Sequence, residues 1–583
     1  MLHPPQSNGV KKLMRAAVDT PRPTQDEAAW DLFVFRKARE SLASEALKQQ
    51  LLAALGPALA ENHQDGLLNC LIRAGELECA LADVSSPDLG MAAKAVDALA
   101  AATLQPEFGH PARDVRTSFE NLRLPPAISV SHAEGFSYYG LHPLDFWDLA
   151  QQLKINSPSV AVIGIRSIGT TLSSIVTRAL QCRGYSTERI SVRPCGPPYQ
   201  RRLEFTPQQV HWVGQHRALG SEFLIVDEGP GFSGSSFAAV GRALRQAGVP
   251  NSRILFMGSR HPESAELQAR FDPEWSSFHF CAVVQGTRIP AAARVYCSGG
   301  YWRQSRFARV QDWPACWTQL ERNKYLSQDG GSLFKFEGFG RYGKSVYQRA
   351  HELAGAGFAP AVLGCNNGFV QYATSPGRPL AADDCDETIL TRLAQYCAHR
   401  VLTKPAAAPG PVSLESMVAH NLKVEFGLEE SVLPLPLEKP IVTDSRMMPH
   451  EWIAGEQLLK TDGASHGDDH LFPGPTDIAW DLAGVIAEWD LDRGQQEFFL
   501  NEYHRRSGDN PRLRLPPYLL AYSVFRMAFC RMGAAAMAAW DECYRLERQY
   551  HKHRGRVISL LDLPPSRYAG ARLLPGWPRQ QAA

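Results

Sequence analysis

The chain has 583 residues, which exceeds what one hydrophobic core supports and predicts about three domains. Its apolar fraction of 44% and charged fraction of 21% are typical of an ordinary globular protein. The formal net charge of +1 gives no overall attraction to nucleic acid or to an anionic membrane, so we expect small-molecule substrates as partners.

The first residues, 1–23, contain prolines and charges without the apolar core of a secretion signal, so we expect a disordered tail on a cytoplasmic protein. The twelve cysteines include no CxxC pair, which favours reduced core thiols over disulfides or a zinc site. The apolar segment 515–540 is interrupted by Arg526 and Arg531. This interruption indicates a packed helix rather than a membrane span.

Two regions differ in their apolar periodicity. Residues 24–117 have apolar side chains at three- and four-residue spacing and predict a helical module without evident chemistry. Residues 118–300 alternate helical runs with the strand-like runs VAVIGI, FLIVDE, RILFMG and HFCAVV. This alternation predicts an α/β domain with a parallel sheet and crossover helices.

The stretch FLIVDEGPGFSGSSF, residues 223–237, leads from a buried strand through two acids and a small-residue loop into a helix closed by Gly248. The unpaired N–H groups and the dipole at the start of a helix attract anions, and small residues let a phosphate approach the backbone. The stretch therefore predicts a site for a phosphorylated ligand.

The same stretch resembles the signature of the phosphoribosyltransferase family, and the resemblance covers residues 118–300. It implies that Asp227 and Glu228 are catalytic and bind the ribose hydroxyls of phosphoribosyl pyrophosphate. It also implies a cradle for the 5-phosphate of that substrate. The cradle would consist of Gly231, Ser233, Gly234, Ser235 and Ser236.

A second strand, turn and helix, residues 160–184, lies where this family places its pyrophosphate loop. The loop GPGFSGSS departs from the family form, because it is one residue longer, contains Pro230 and lacks the common Thr-Gly pair. A structural turn, or a phosphate sensor without transferase activity, is therefore an alternative. The resemblance implies that the leaving pyrophosphate contacts Arg166, Ser167, Gly169, Thr170 and Thr171.

Residues 301–403 begin with the short strands RNKYLS and SLFKFE, followed by one helix and a hairpin signal at 366–368. They predict a small sheet with one helix. Gly338, Gly343 and Lys344 also have the spacing of a P-loop, but the parallel strands that a P-loop fold needs do not follow.

This region resembles the amino-terminal lobe of the kinase-like phosphotransferases, the group that includes aminoglycoside and choline kinases. The resemblance implies that Lys335 binds the phosphates of ATP and pairs with Glu352. Residues 404–583, mostly helical, would form the carboxy-terminal lobe, with an end that frays. The expected fold class is thus multidomain: a helical module, a phosphoribosyltransferase-like α/β domain and a two-lobed α+β kinase-like domain.

In the second lobe, IVTDSRMMPHEW resembles the kinase catalytic loop, with Asp444 as base or substrate-orienting residue. LLKTDG resembles the metal-binding turn, with Asp462 as ligand of Mg²⁺, and Asp481 begins the Asp-Leu-Ala helix of the same group. Three features depart from the group: the usual His and Asn of the catalytic loop are replaced, Glu451 stands near the Asn position, and the glycine-rich loop is missing or shortened. The dense polar turn 466–470 is typical of a solvated loop.

Together, the two resemblances predict a bifunctional enzyme with phosphoribosyl pyrophosphate as one substrate and ATP and Mg²⁺ as cofactors. One site would transfer a ribose phosphate and the other a phosphoryl group. The alternative is a regulatory or defence-related protein that senses a nucleotide or sugar phosphate through degenerate sites. Turnover distinguishes the two, because a sensor binds these ligands without consuming them.

Overall fold

The computed structural model describes most of the chain. The predicted tail, 1–23, and the carboxy-terminal end beyond residue 563 lie outside the described residues. The described residues are 27–34, 39–61, 63–104, 112–196, 200–231, 233–259, 275, 277–283, 288–403, 414–428, 434–469, 471–537 and 539–563.

The described part of the amino-terminal region contains a bundle of helices, as the apolar spacing predicts. The helices are α1 (Ser44–Ala60), α2 (Gln64–Asp83), α3 (Leu89–Leu104) and α4 (Ala112–Glu120). Leu55, Leu71, Leu99 and Phe119 are 0% exposed and belong to one core. A strand that the sequence did not reveal, β1 (Arg39–Ala43), pairs antiparallel with β2 (Ala127–Ser131) beside this bundle.

Residues 27–34 pack against the carboxy-terminal helices rather than against this module. Trp30 and Leu32 belong to the core of the carboxy-terminal lobe. The amide of Asn421 holds the segment, since its Nδ2 donates to the carbonyl of Phe33 (2.7 Å) and its Oδ1 accepts from the Phe33 N–H (2.8 Å). The module expected over 24–117 therefore begins only after this segment.

The predicted parallel sheet is confirmed, and its strand order is β4-β3-β5-β6-β7. The strands are β3 (Ser159–Ile165), β4 (Ser186–Val192), β5 (Glu222–Val226), β6 (Ile254–Gly258) and β7 (His279–Ala282). Helices α5 (Glu134–Ser137) and α6 (Pro143–Gln152) precede the sheet, and α7 (Ile168–Cys182), α8 (Pro207–Ala218) and α9 (Ser235–Gln246) connect its strands. The order reverses between β3 and β5, and ligands bind in such sheets at the carboxyl ends of the strands at this point.

A second, antiparallel sheet has the order β11-β12-β10-β9-β8. Its strands are β8 (Ala293–Tyr296), β9 (Lys324–Ser327), β10 (Ser332–Phe336), β11 (Val362–Asn366) and β12 (Phe369–Ala373). Helix α10 (Arg303–Arg306) lies between β8 and β9 in the chain, and α11 (Arg341–Gly355) lies between β10 and β11. The expected boundary between residues 300 and 301 falls inside this unit, because β8 supplies its edge strand.

Two sequence predictions are decided in this sheet. The hairpin is confirmed: Asn367 and Gly368 both have positive φ (49° and 76°), as the tight turn between β11 and β12 requires. The P-loop alternative is wrong, because β10 is antiparallel to both of its neighbours and Lys344 lies exposed on α11.

The carboxy-terminal lobe is mainly helical. Its helices are α12 (Glu387–Thr403), α13 (Leu414–Phe426), α14 (Ala479–Glu488), α15 (Arg493–Ser507), α16 (Leu515–Ala536) and α17 (Trp540–Leu560). Its short strands are β13 (Arg378–Pro379), β14 (Pro440–Ile441), β15 (Trp452–Ala454), β16 (Leu458–Lys460) and β17 (Thr476–Asp477). Within α16, Arg526 pairs with Glu488 at 2.7 Å inside the core. Among the described helices, none combines the length and apolar character that crossing a bilayer demands.

The start of α6 predicts a pH dependence of stability. His142 is 6% exposed, and its Nδ1 accepts a hydrogen bond from the Leu144 N–H (3.2 Å). Burial, with a smaller effect of Arg288, lowers the pKa of His142 to about 3. The unfolded chain binds this proton near pH 6.5, so the free energy of unfolding should fall by about 1.4 kcal/mol per pH unit as pH drops from 6.5 towards 3.

Denaturant titrations of wild type and His142→Asn between pH 4 and pH 8 measure this contribution. Asn caps a helix without titrating, so the variant should show a shallower acid loss of stability than wild type. Identical slopes in the two proteins would contradict a neutral, buried His142.

Candidate functional site

A cleft of about 200 Å³ lies between the antiparallel sheet and the carboxy-terminal lobe. One end of it is apolar, with Leu326 and Leu333 from the sheet and Ile453 from the lobe. Residues 372–375, which leave β12 towards the second lobe, line the same end. This end suits a flat, apolar group such as a nucleotide base.

The other end of the cleft is rich in charge. Its cationic lining residues are Arg322, Lys324, Lys335, Arg446, Lys460 and Arg526, and its acidic lining residues are Glu321, Glu451, Asp462 and Asp469. Because cationic side chains outnumber acidic ones, this end of the cleft favours an anionic ligand.

Lys335 extends from β10 into the cleft and is 2% exposed. Its Nζ lies 3.0 Å from Asp462 Oδ1 and 3.1 Å from Glu337 Oε1, and it donates to Ser465 Oγ (2.8 Å). The expected partner Glu352 is exposed on α11 and accepts from Gln348 instead. The predicted Lys335–Glu352 pair is therefore wrong, because α11 turns Glu352 to the solvent and Glu337, two residues along the strand, lies closer.

Asp462 lies in the turn after β16, where its φ of 61° directs the carboxylate to the sheet. Its Oδ2 lies 3.4 Å from Lys324 Nζ, and its Oδ1 bonds Lys335. Burial alone would raise the pKa of Asp462, but Lys324 and Lys335 hold it well below its usual range. The carboxylate is therefore ionised and bound to two ammonium groups.

Asp444 follows β14 and is 0% exposed. It accepts a hydrogen bond from the Tyr396 hydroxyl and lies 3.4 Å from Lys460 Nζ. Burial opposes ionisation, but Lys460 and His466 lower the pKa of Asp444 below its usual range. Asp444 is therefore a buried anion rather than a group that faces the cleft directly.

Asp481, at the start of α14, fixes the loop that contains Asp444. Its two carboxylate oxygens accept from the N–H groups of Asp444 (2.9 Å) and Ser445 (2.8 Å). Burial raises the pKa of Asp481 to about 6, and the N–H bonds and Arg400 oppose this rise. Asp444 and Asp481, which are 37 residues apart in the sequence, are therefore joined by a direct hydrogen bond.

Lys460 lies between Asp444 and Glu451. Its Nζ is 2.7 Å from Glu451 Oε2, and Arg446 Nε lies 3.2 Å from the other oxygen of Glu451. Ligand atoms of Asp444, Glu451 and His466 lie within 4.8 Å of one another, so these residues could surround a cation. The ammonium of Lys460 already contacts both carboxylates, however, so the donor set does not fit Mg²⁺.

The polar turn 466–470 is not the solvated loop that the sequence suggests, although His470 lies outside the described residues. His466 and Asp469 are only 8% and 6% exposed, and both line the cleft. His466 Nδ1 lies 3.7 Å from Asp444 Oδ1. Burial lowers the pKa of His466, so its ring is neutral at pH 7.

The connection between β8 and β9, residues 297–323, lies along the mouth of the cleft, and we call it the crossing segment. Trp302 stacks on His450 with ring centroids 5.8 Å apart, and Arg306 donates to the carbonyl of Ser375 (3.1 Å). Arg303 pairs with Glu542 of α17 at 2.8 Å. This segment ties the sheet to the helical lobe.

The parallel sheet has its own crevice at the carboxyl ends of β3 and β5. Asp227 Oδ1 accepts from the Glu228 N–H (2.9 Å), and Glu228 Oε2 accepts from the Gly135 N–H (2.7 Å). Burial and the neighbouring Glu228 raise the pKa of Asp227 well above its usual range. The two acids therefore stand together at this edge, as the sequence predicts.

The small-residue loop after these acids leads into α9. Gly231 and Gly234 have positive φ (60° and 69°), and the Gly234 N–H donates to the carbonyl of Pro230 (2.8 Å). Ser233 and Ser235 are buried, and Ser233 Oγ accepts from the Ser235 N–H (3.3 Å). Ser236 is half-buried in the first turn of the helix.

The turn between β3 and α7 lies beside these acids, because a Cβ on Gly169 would collide with the carbonyl of Val226 at the end of β5. Ser167 is half-buried in this turn, whereas Thr170 is 0% exposed inside α7. Thr171 is 2% exposed and packs where a Cβ on Gly75 of α2 would lie. The two threonines therefore pack inside the protein.

The guanidinium of Arg166 contacts residues of α2 and β4. Its Nη1 pairs with Asp83 of α2 at 3.2 Å, and its Nε and Nη2 donate to the hydroxyl and carbonyl of Ser191, both at 3.1 Å. These contacts orient Arg166 towards α2 and β4, and its contact with pyrophosphate stays a prediction.

Lys324, Lys460, Arg446 and His466 are cleft residues that sequence reasoning did not assign. Lys460 ends β16 two residues before Asp462 in LLKTDG, and Arg446 stands two residues after Asp444. The contacts of Lys324 with Asp462 and of His466 with Asp444 join residues far apart in the chain, so no local signal marks these two residues.

No family model matches the sequence, and no curated protein matches it. The chain is similar to a solved choline/ethanolamine kinase family protein from Mesorhizobium loti, with 18% identity, a TM-score of 0.30 and coverage of 42% of this chain and 87% of that one. It is also similar to a choline kinase from Streptococcus pneumoniae, with 14% identity, a TM-score of 0.28 and coverage of 40% and 89%. A third similar structure is a macrolide 2′-phosphotransferase from Brachybacterium faecium, with 14% identity, a TM-score of 0.26 and coverage of 42% of this chain and 89% of that one. At these TM-scores the likeness assigns no activity to the chain.

Proposed function

We propose that the cleft between the antiparallel sheet and the helical lobe binds ATP and transfers its terminal phosphoryl group to a hydroxyl of a small molecule. The observation that supports this most directly is Lys335, a buried cation at the boundary between the apolar and the charged end of the cleft. The base would occupy the apolar end beside residues 372–375, and the phosphates would contact Lys335.

The transfer forms a bond from the acceptor oxygen to the terminal phosphorus and breaks the bond from that phosphorus to its bridging oxygen, which leaves with ADP. His466 is neutral and lines the cleft, so its ring accepts the proton of the acceptor hydroxyl. Asp444, 3.7 Å from Nδ1, stabilises the resulting imidazolium. In this mechanism Asp444 is a positioning residue, and Asp481 fixes its loop.

The first prediction concerns the lysine that contacts ATP. Lys335→Met should weaken ATP binding by about tenfold or more, because it removes a buried cation from the phosphate end of the cleft. Lys344→Met is the matched control and should leave the dissociation constant unchanged, since Lys344 is exposed on α11. Calorimetric titration with ATP measures both, and equal effects of the two substitutions would refute this site.

The second prediction concerns turnover. His466→Gln should lower kcat by about 10²–10⁴ while leaving the dissociation constant of ATP unchanged, because the ring acts on the acceptor proton. ADP release measured against nucleosides, sugars and ribosylated metabolites tests this. Wild-type turnover no higher than that of His466→Gln across the panel would leave a nucleotide sensor as the function.

A second function, at the parallel sheet, is binding of a ribose phosphate, with phosphoribosyl pyrophosphate as the substrate for transfer. It is favoured by the position of Asp227 and Glu228 beside the Ser167 turn at the reversal of strand order. The acids would accept from the ribose hydroxyls, and the loop 229–236 would bind the 5-phosphate. Transfer would form a bond from the acceptor to ribose C1 and release pyrophosphate.

The double substitution Asp227→Asn with Glu228→Gln should weaken binding of phosphoribosyl pyrophosphate by about tenfold or more, because the ribose hydroxyls lose their two carboxyl partners. Glu204→Gln, at an exposed position, is the matched control. Circular dichroism should show an unchanged fold, since the amides retain acceptor oxygens. Equal calorimetric affinities of wild type and the double variant would remove this function.

A further inference from the structure

We propose that the cleft binds its nucleotide as the free polyanion, without a divalent cation, because ammonium groups of the chain occupy the positions in which carboxylates would hold a metal ion. The inference rests on the proposed ATP site and specifies how that site recognises phosphate. It replaces the Mg²⁺ cofactor that the sequence predicts for this cleft.

Lys460 is the first of these ammonium groups. It is 1% exposed and has three oxygen neighbours: Glu451 Oε2 at 2.7 Å, the carbonyl of Thr461 at 2.9 Å and Asp444 Oδ2 at 3.4 Å. Since the group is buried among these oxygens, removing it would leave Asp444 and Glu451 without the cation that they share. A metal ion would have to displace it to reach both acids.

Asp462, the predicted magnesium ligand, is occupied in the same way. Lys335 Nζ lies 3.0 Å from Oδ1, and Lys324 Nζ lies 3.4 Å from Oδ2. The two lysines stand on neighbouring strands β10 and β9, directly opposite each other in the ladder. Both oxygens of the carboxylate therefore have a lysine partner that is anchored in the sheet.

The cations in contact with these acids also disfavour a divalent metal ion. The carboxylates are Asp444, Glu451 and Asp462, and the cations in contact with them are Lys324, Lys335, Lys460 and Arg446. Lys335 and Lys324 also contact Glu337 and Glu321, at 3.1 Å and 3.5 Å, so a divalent cation would have to separate lysines from carboxylates that already neutralise one another. Mg²⁺ also prefers oxygen ligands in octahedral geometry, whereas the third member of the possible ligand group is the His466 ring.

Phosphate oxygens, unlike a divalent cation, are attracted to the ammonium and guanidinium groups of the cleft. The lining of the charged end adds Arg322 and Arg526 to the lysines, and guanidinium and ammonium groups donate directly to phosphate. Arg322 lies 3.1 Å from Glu337 and Arg526 lies 2.7 Å from Glu488, so a nucleoside polyphosphate would share these donors with carboxylates of the chain. The ligand class is the metal-free nucleotide.

Calorimetry of the full chain with ATP, once in EDTA and once in Mg²⁺, tests this. We expect the two dissociation constants to agree within about threefold. Binding that occurs only with Mg²⁺ would overturn the inference and leave the proposed ATP site intact. Absence of binding in both conditions would instead refute the ATP site itself, and the inference with it.

A variant tests the role of Lys460. Lys460→Met leaves Asp444 and Glu451 without their shared cation, so its ATP affinity should fall by about tenfold in EDTA and recover on addition of Mg²⁺. Lys344→Met is the matched control and should behave as wild type. The inference is contradicted if the ATP affinity of Lys460→Met in EDTA equals that of wild type. It is also contradicted if Mg²⁺ does not restore a lowered affinity.

A titration of wild type with Mn²⁺, followed by electron paramagnetic resonance, needs no variant and decides the point if Lys460→Met does not fold. We expect the ATP-free protein to show no saturable uptake of Mn²⁺ at micromolar concentrations. Saturable uptake that Glu451→Gln abolishes would place a metal at this site and overturn the inference.

Discussion

The contact between Lys335 and Asp462 joins the antiparallel sheet to the helical lobe, and the shape of the cleft depends on it. Lys335 stands on a central strand, and Asp462 stands in a turn of the opposite lobe, 3.0 Å away. Losing one partner of a buried ion pair typically costs about 3–5 kcal/mol, because the other charge is left without compensation. This pair therefore helps to hold the two lobes at the distance that forms the cleft.

The amino-terminal helices contribute to both sites through the acidic end of α2. Asp83 pairs with Arg166 and with Arg193. These residues directly follow β3 and β4, so the two ion pairs connect α2 to the carboxyl ends of these strands. Glu76 of the same helix accepts from Tyr342 and pairs with Arg341 at the start of α11. One helix thus contacts the parallel sheet and the unit of the antiparallel sheet, so the module is part of the framework rather than an appended domain.

Residues 133–142 connect the two candidate sites. The Gly135 N–H donates to Glu228 at the parallel sheet, and Asn323 of the crossing segment donates to the carbonyl of Tyr139 (3.3 Å). The guanidinium of Arg322 lies 5.2 Å from the centre of the Tyr138 ring and pairs with Asp469 at 3.6 Å in the cleft. A ligand that moves this short segment at one site would therefore alter contacts at the other.

Elements whose signals are local could be predicted from the sequence. Strand and helix periodicity predicted the parallel sheet, paired turn residues predicted the hairpin at Asn367 and Gly368, and short motifs selected Lys335 and Asp462. The tertiary structure decided which charges meet: it turned Glu352 to the solvent and placed Lys460 between two acids. Periodicity reports the geometry of one element, whereas a buried ion pair depends on how distant elements pack, and only the folded chain determines that packing.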